Sequence, residues 1–351
     1  MKVAALGYYG FDNLGDEAVL AGIRTALKTE SKFDGASFLV LSNAPEGTTR
    51  LHPGTVAANR WKWREVSNAL CDTDLFILGG GSLLQDATSV KSVIWYALMA
   101  RLARAKSRRI LWWGQGIGPL RSNISRWLVR HIADQADAIT VRDEKSAELL
   151  KVIGAQGSIE IVADPAFALS PESPVAPDNF SVDSVVFALR SWRGVNDSLM
   201  DSLKKYQATL GKNWCLSMHQ PEDADYMHEI FGPSHIQDWR GTGIEAALGH
   251  VAVSRLVVAM RLHALIFAAR CGVPFVALSY DPKVDALAQA SGQEDAVLNV
   301  NDTSLTRERL LDTIARIRDT DTQRRVTLNE FATVQGERAR RPAAIAADLL
   351  S

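Results

Sequence analysis

Leu256-Val-Val-Ala-Met-Arg261-Leu-His263-Ala-Leu-Ile-Phe-Ala-Ala-Arg-Cys-Gly-Val-Pro274 sets Arg261 and His263 into near-continuous apolar sequence. Leu256–Ala259 reads as a buried parallel strand. Leu262, Leu265, Ile266 and Ala269 then recur at helical spacing until Gly272 and Pro274 stop the helix. Arg261 and His263 therefore fall where strand becomes helix. In an open α/β sheet that turn lies at the carboxyl end of the strand, where ligands bind and where free N–H groups favour an anion. A guanidinium beside that anion and an imidazole that titrates near neutrality suit a site better than a core.

The same strand–turn–helix pattern recurs outward from this stretch. Val3–Leu6 runs into Gly7-Tyr-Tyr-Gly-Phe-Asp12-Asn13-Leu-Gly15-Asp16-Glu17, after which Val19, Leu20, Ile23 and Leu27 keep a helical period. These glycines match neither the dinucleotide fingerprint nor a P-loop. Phe38–Ser42 is a second strand, and Asn59-Arg-Trp-Lys-Trp-Arg64 interleaves aromatic and basic residues as a sugar or headgroup surface would. Asp74–Leu78 ends in Gly79-Gly80-Gly81-Ser82-Leu-Leu-Gln85-Asp86. A helix over 92–109 with a basic C-terminal end follows, reading either as a dipole complement or as a surface for anionic phospholipid. Arg109–Trp113 leads to Gly114-Gln115-Gly-Ile-Gly-Pro119, and Ala138–Val141 to Arg142. The proline-rich stretch after Ser170 is the interdomain linker candidate. The pattern then restarts with Ser184–Leu189 before Arg190, Trp214–Met218 before His219, and Phe275–Leu278 before Tyr280. From Leu305 the chain reads as helical.

The totals fit two soluble domains. The net charge of −1 leaves no footprint for nucleic acid, with residues 1–168 at +3 and the remainder at −4. Cys71, Cys215 and Cys271 are widely spaced and suggest neither disulfides nor zinc, so a reducing cytoplasm is expected. No apolar run reaches membrane-spanning length, and the chain opens on a strand rather than a signal segment.

Gly7-Tyr-Tyr-Gly, Asn13-Leu-Gly-Asp16-Glu17, Leu78-Gly-Gly-Gly-Ser-Leu-Leu-Gln-Asp86, Gly114-Gln-Gly-Ile-Gly-Pro119, Val141-Arg-Asp143, Arg261-Leu-His263 and Tyr280-Asp-Pro-Lys-Val284 together resemble the polysaccharide pyruvyl transferase family, in order, over residues 1 to about 290. The nearest branch pyruvylates bacterial secondary cell-wall polymers, which serve S-layer anchoring. The resemblance implies an α/β chain of two Rossmann-like domains facing a cleft, glycosyltransferase-B-like, with a C-terminal helix packing back on the first domain. The expected boundaries are 1–168 for the acceptor side, a linker at 169–180, 181–330 for the donor side, and a terminal helix at 331–351.

The implied reaction moves a pyruvyl group from phosphoenolpyruvate to a sugar as a cyclic ketal, commonly on N-acetylmannosamine of a lipid-linked precursor. It places Arg142, Arg261, Leu262 and His263 on the donor. The chemistry agrees with the residues: guanidinium forks suit a carboxylate and a phosphate, and Arg190 adds a further anion contact. His263 is expected as general acid and Asp16 as general base, over Asp12 and Glu17. Asn13, Glu17, Gly80, Gly81, Ser82, Gln85 and Gln115 are expected on the acceptor. No metal or resident cofactor is required. The expected partners are phosphoenolpyruvate and the lipid-linked acceptor, with peripheral contact at the inner membrane face as an option.

Two rival readings are a nucleotide-sugar glycosyltransferase on the same fold and a non-catalytic sugar- or phosphate-binding protein. The first wants an acidic residue for ribose hydroxyls, and none is evident beside Arg261. The second has no use for a proton donor.

Overall fold

The computed structural model describes residues 1–87, 89–171, 184–193, 197–210, 213–232, 236–237, 239–302 and 304–351. Most of the proline-rich linker candidate, together with Gly194 and His235, lies outside the described residues. The chain divides into two compact units, one formed by Met1–Phe11, Asp16–Leu169 and Gln335–Ser351, the other by Asp12–Gly15 and Ser170–Val334.

The first unit is built on an eight-stranded sheet. Its strands are β1 (Lys2–Leu6), β2 (Ser37–Ser42), β3 (Thr55–Asn59), β4 (Thr73–Leu78), β5 (Gly81–Leu84), β6 (Ser107–Ile117), β7 (Ala138–Val141) and β8 (Ile159–Ile161), in the order β3-β2-β1-β4-β6-β7-β8 with β5 paired to β6. Every pairing is parallel. Parallel sheets are covered on both faces, so their strands read as unbroken apolar runs, as Val3–Leu6 and Leu75–Leu78 do. Leu6, Phe76, Leu78 and Trp112 are fully buried, each contributing roughly 1.5–3 kcal/mol of transfer free energy.

The second unit holds β9 (Val185–Ala188), β10 (Asn213–Leu216), β11 (Ile236–Gln237), β12 (Leu256–Ala259), β13 (Phe275–Ser279) and β14 (Val297–Asn299), again all parallel, in the order β11-β10-β9-β12-β13-β14. The chain leaves β9 outward to β10 and β11, then returns to place β12 on the other side of β9. The order therefore reverses between β9 and β12, and a crevice opens at the carboxyl ends of such a pair. In the first unit the reversal falls between β1 and β4. Both reversals coincide with the motif-bearing turns.

Several elements differ from the sequence reading. Thr55–Asn59 and Gly81–Leu84 are strands that the pattern did not mark, and β6 continues through the glycines to Ile117. The terminal helix starts at Asp321 and runs to Leu349, with the part from Gln335 belonging to the first unit. There Arg341 pairs with Glu160 at 2.8 Å, and Arg109 Nε donates to the Leu349 carbonyl at 2.9 Å. Asp12–Gly15, read as part of the first domain, belongs to the second unit. Among the described residues, no helix is long and apolar enough to cross a membrane.

Candidate active site

The second unit gathers the turns after β9, β10, β12 and β13 at one sheet edge. Met260 N donates to the Ala188 carbonyl at 3.0 Å, extending the β12–β9 ladder to the turn itself. Arg261 then sits at the N-cap of the Leu262–Arg270 helix in extended conformation, and His263 lies in its first turn. Gly272 ends the helix in the left-handed region at φ 66°, where a Cβ would also run into Asn329.

Arg261 is held by a partner the sequence reading did not weigh. Its Nε donates to Asp223 Oδ2 at 2.8 Å and its Nη2 donates to Asp223 Oδ1. Asp223 is buried in the first turn of the Glu222–Phe231 helix and also accepts from His219 N at 3.0 Å. An acidic residue thus does stand beside Arg261, but both of its oxygens serve the guanidinium. The Nη1 edge of the fork is the one Asp223 leaves for an anion. An acid in a first helical turn reads from sequence as a dipole complement, which is why Asp223 gave no signal.

His263 is fixed from the side by the chain's own N-terminal loop. Gln220 N donates to the Asp12 carbonyl at 3.0 Å and Leu14 N to the Met218 carbonyl at 2.7 Å, with Asn13 paired to His219 in a short antiparallel bridge. Asn13 Oδ1 accepts from Gly15 N at 3.0 Å. Gly15 consequently lies against the His263 imidazole, where a Cβ would collide with Nδ1 and Cγ. Its smallness makes room for the protein's own ring. Asn13, expected on the acceptor, braces this loop.

Arg190 donates to the Tyr280 hydroxyl at 3.3 Å, and its guanidinium lies 5.5 Å and 5.4 Å from the Trp192 and Tyr280 ring centres. Asp281 caps the Pro282–Ala290 helix through Lys283 N at 2.9 Å, which presents Tyr280 at the end of β13. Arg190, Arg261, Leu262 and His263 thus share one edge of one sheet.

The remaining expected residues lie in the first unit. Arg142 follows β7 and is nearly enclosed, pairing with Asp164 at 3.2 Å and donating to Ser82 Oγ at 2.8 Å; Gly116 leaves it room. Glu17 is buried on internal partners, accepting from Gly10 N at 2.7 Å and bonding His52 Nε2 at 2.8 Å. Gln115 is also buried and donates to the carbonyls of Leu78 and Gly79, holding the end of β4. The triple glycine admits protein: Gly79 meets Tyr9, Gly80 meets Pro165 and Val19, and Gly81 meets Asp16 Oδ1. Burial, and then the charges of Asp16 and Glu17, hold the Tyr9 hydroxyl well above its ordinary pKa. Gln85 accepts from Ala87 N in a local turn, whereas Asp86 accepts from Arg121 N and Ser122 N, both at 2.8 Å. Asp16 is half-buried beside Gly81.

Two surfaces suggested from sequence change character. Arg60 is buried, donates to the Gly7 carbonyl at 2.6 Å and lies 4.1 Å from the Trp95 ring centre, so it belongs to the core. Arg104 and Arg109 converge on Asp137 at 2.7 Å and 3.1 Å, which occupies that end of the basic helix internally.

Two parallel doubly wound units are the architecture of glycosyltransferase-B-like proteins. A putative UDP-N-acetylglucosamine 2-epimerase from Listeria monocytogenes aligns with 99% of this chain and 96% of its own, at TM-score 0.63 and 13% identity. The UDP-GlcNAc 2-epimerase from Neisseria meningitidis, bound to UDP-GlcNAc, aligns over 100% and 99% at TM-score 0.61 and 11% identity, and the kitacinnamycin glycotransferase over 100% and 99% at 0.55 and 11%. Such identities speak for the fold alone. No curated protein matches the chain by sequence. The profile of the polysaccharide pyruvyl transferase family matches residues 13–282, and the chain belongs to that family of transferase enzymes.

Proposed function

We propose that this transferase moves the pyruvyl group of phosphoenolpyruvate onto two hydroxyls of one sugar, forming a cyclic ketal and releasing phosphate. The proposed acceptor is N-acetylmannosamine of a lipid-linked cell-wall polysaccharide precursor. The observation that carries the reading is the Arg261–His263 turn at the strand-order reversal of the second sheet, with the guanidinium plane set by Asp223 and Arg190 at the neighbouring strand end.

Arg261 and Arg190 supply fixed cations for the donor's carboxylate and phosphate, and the Leu262 position starts the helix whose free N–H groups face the same edge. His263 delivers a proton to the methylene carbon, turning it into a methyl group as C2 becomes electrophilic. One sugar hydroxyl adds to C2 while Asp16 takes its proton. The C2–O bond to phosphate then breaks, and the second hydroxyl closes the ketal, its proton leaving with phosphate. Arg142 is the second cation that the family resemblance assigns to the donor, and its substitution tests that assignment. Ser82, Gln85, Gly80, Gly81 and Asn13 are proposed around the acceptor. Glu17 acts by holding the loop at Gly10, and Gln115 by holding the end of β4.

The test is phosphate release from phosphoenolpyruvate with and without a β-linked N-acetylmannosaminyl lipid diphosphate. Acceptor-dependent release is expected. No release together with no calorimetric binding of phosphoenolpyruvate would overturn the donor assignment and favour a nucleotide sugar.

A further inference from the structure

Residues 87–133 contain nine Lys and Arg and not one Asp or Glu, in a chain whose 40 acids almost match its 39 bases. The stretch carries two helices, Val90–Lys106 and Asn123–Ala133, that pack side by side in the first unit. Their outward stripes are apolar where solvent would call for polar side chains: Ile94 and Leu98 are 39% and 51% exposed on the first helix, Ile124 and Trp127 60% and 63% on the second. Exposed Arg101, Arg126 and Arg130 stand among them. Trp61, also exposed, adjoins the first helix through its ring contact with Trp95 at 5.3 Å.

We propose that this two-helix face is an interfacial docking surface for a bilayer rich in anionic phospholipid. Large apolar side chains and tryptophans interleaved with arginines match the boundary between acyl chains and headgroups, while the lack of any acid from residue 87 to 133 limits repulsion from anionic lipid. A nucleic acid would satisfy the arginines and leave Ile94, Leu98 and Ile124 without partners. The basic residues that act are those on the outward stripe. Arg104 and Arg109 are occupied by Asp137, and Arg130 lies 3.8 Å from its own helix neighbour Asp134. The surface draws its purpose from the lipid-linked acceptor proposed above, but its measurement needs neither donor nor acceptor.

The experiment is co-sedimentation of the full chain with vesicles of phosphatidylglycerol and phosphatidylcholine against vesicles of phosphatidylcholine alone. Binding to the anionic vesicles only, weakened by salt, is expected. Leu98→Ser with Trp127→Ser should weaken it at least about tenfold. Arg101→Glu with Arg126→Glu should weaken it by roughly fivefold per charge. Lys205→Glu with Arg307→Glu, the same charge change on the other unit, should leave it unchanged. Thermal melts identify any variant that fails to fold, and the two sets of substitutions are independent. Absence of vesicle binding, equal binding to neutral vesicles, a dimer that Trp127→Ser dissolves, or displacement of the vesicles by duplex DNA would each overturn the proposal. Failure here leaves the ketal transfer standing, and failure of phosphate release leaves the docking face standing.

Discussion

Gly15 and His263, 248 positions apart in sequence, lie so close that the first carbon of any side chain at position 15 would overlap the imidazole. The contact belongs to the second unit, because Asp12–Gly15 is tied to Met218 and Gln220 by backbone hydrogen bonds. Gly15→Ala should therefore act through the ring. We expect turnover to fall by about 10²–10⁴-fold, the share of a general acid, while calorimetric binding of phosphoenolpyruvate persists. Unchanged turnover would remove His263 from the chemistry or show that the ring can move without cost.

His263→Ala should leave the thermal melt close to wild type and abolish turnover, since the residue is half-buried at a helix start rather than packed in the core. Global unfolding of the variant would make it a structural residue.

Asp223 fixes Arg261, so Asp223→Ala should separate from Arg261→Lys in a telling way. The first leaves a partly buried guanidinium without its carboxylate and should cost about 1–3 kcal/mol in urea unfolding as well as weakening the donor complex. The second keeps the charge but loses the fork, and should raise the KM for phosphoenolpyruvate with little loss of stability. Equal stability of both variants would show that the pair contributes nothing to the fold.

The Glu17–His52 pair is a structural counterpart in the first unit. His52→Ala should destabilise by about 1–3 kcal/mol because Glu17 Oε2 loses its buried partner. The KM for the acceptor should not change, and a change would return Glu17 to the acceptor site.

Acid should unfold the first unit through Asp86 and Asp137. Burial alone would raise both carboxyls. Hydrogen bonds from Arg121 N and Ser122 N to Asp86, and from Ile110 N, Arg104 and Arg109 to Asp137, outweigh it and hold both below the ordinary range. A depressed native value means stability that is present above the unfolded pKa of about 3.9 and lost as pH falls through the native one. Urea midpoints measured downward from about pH 5 should fall steeply in the wild type and less steeply in Asp86→Asn with Asp137→Asn. Parallel curves would show the carboxyls to be unperturbed.

Alternation of apolar strand and amphipathic helix was legible because it is local: a strand covered on both faces must be apolar throughout, and a helix must repeat at its own period. The Arg261–His263 turn was visible for the same reason, as charge interrupting an apolar run. Thr55–Asn59 was not, since an edge strand with half-exposed residues carries no such run. The strand Gly81–Leu84 was hidden by its glycine, which also signals a loop.

Sequence alone determined the α/β class, the two halves, and the strand ends where glycine and charge gather, since each depends on neighbours within a turn or two of chain. Tertiary structure decided which of those residues have something else to do. Glu17 was claimed by His52, Gln115 by the carbonyls of β4, Arg60 by aromatic rings, Arg261 by Asp223, and Gly15 by His263. A buried polar group must find its partners wherever the fold brings them, and separations of 35 to 248 positions leave no periodicity for a reader of the chain to follow.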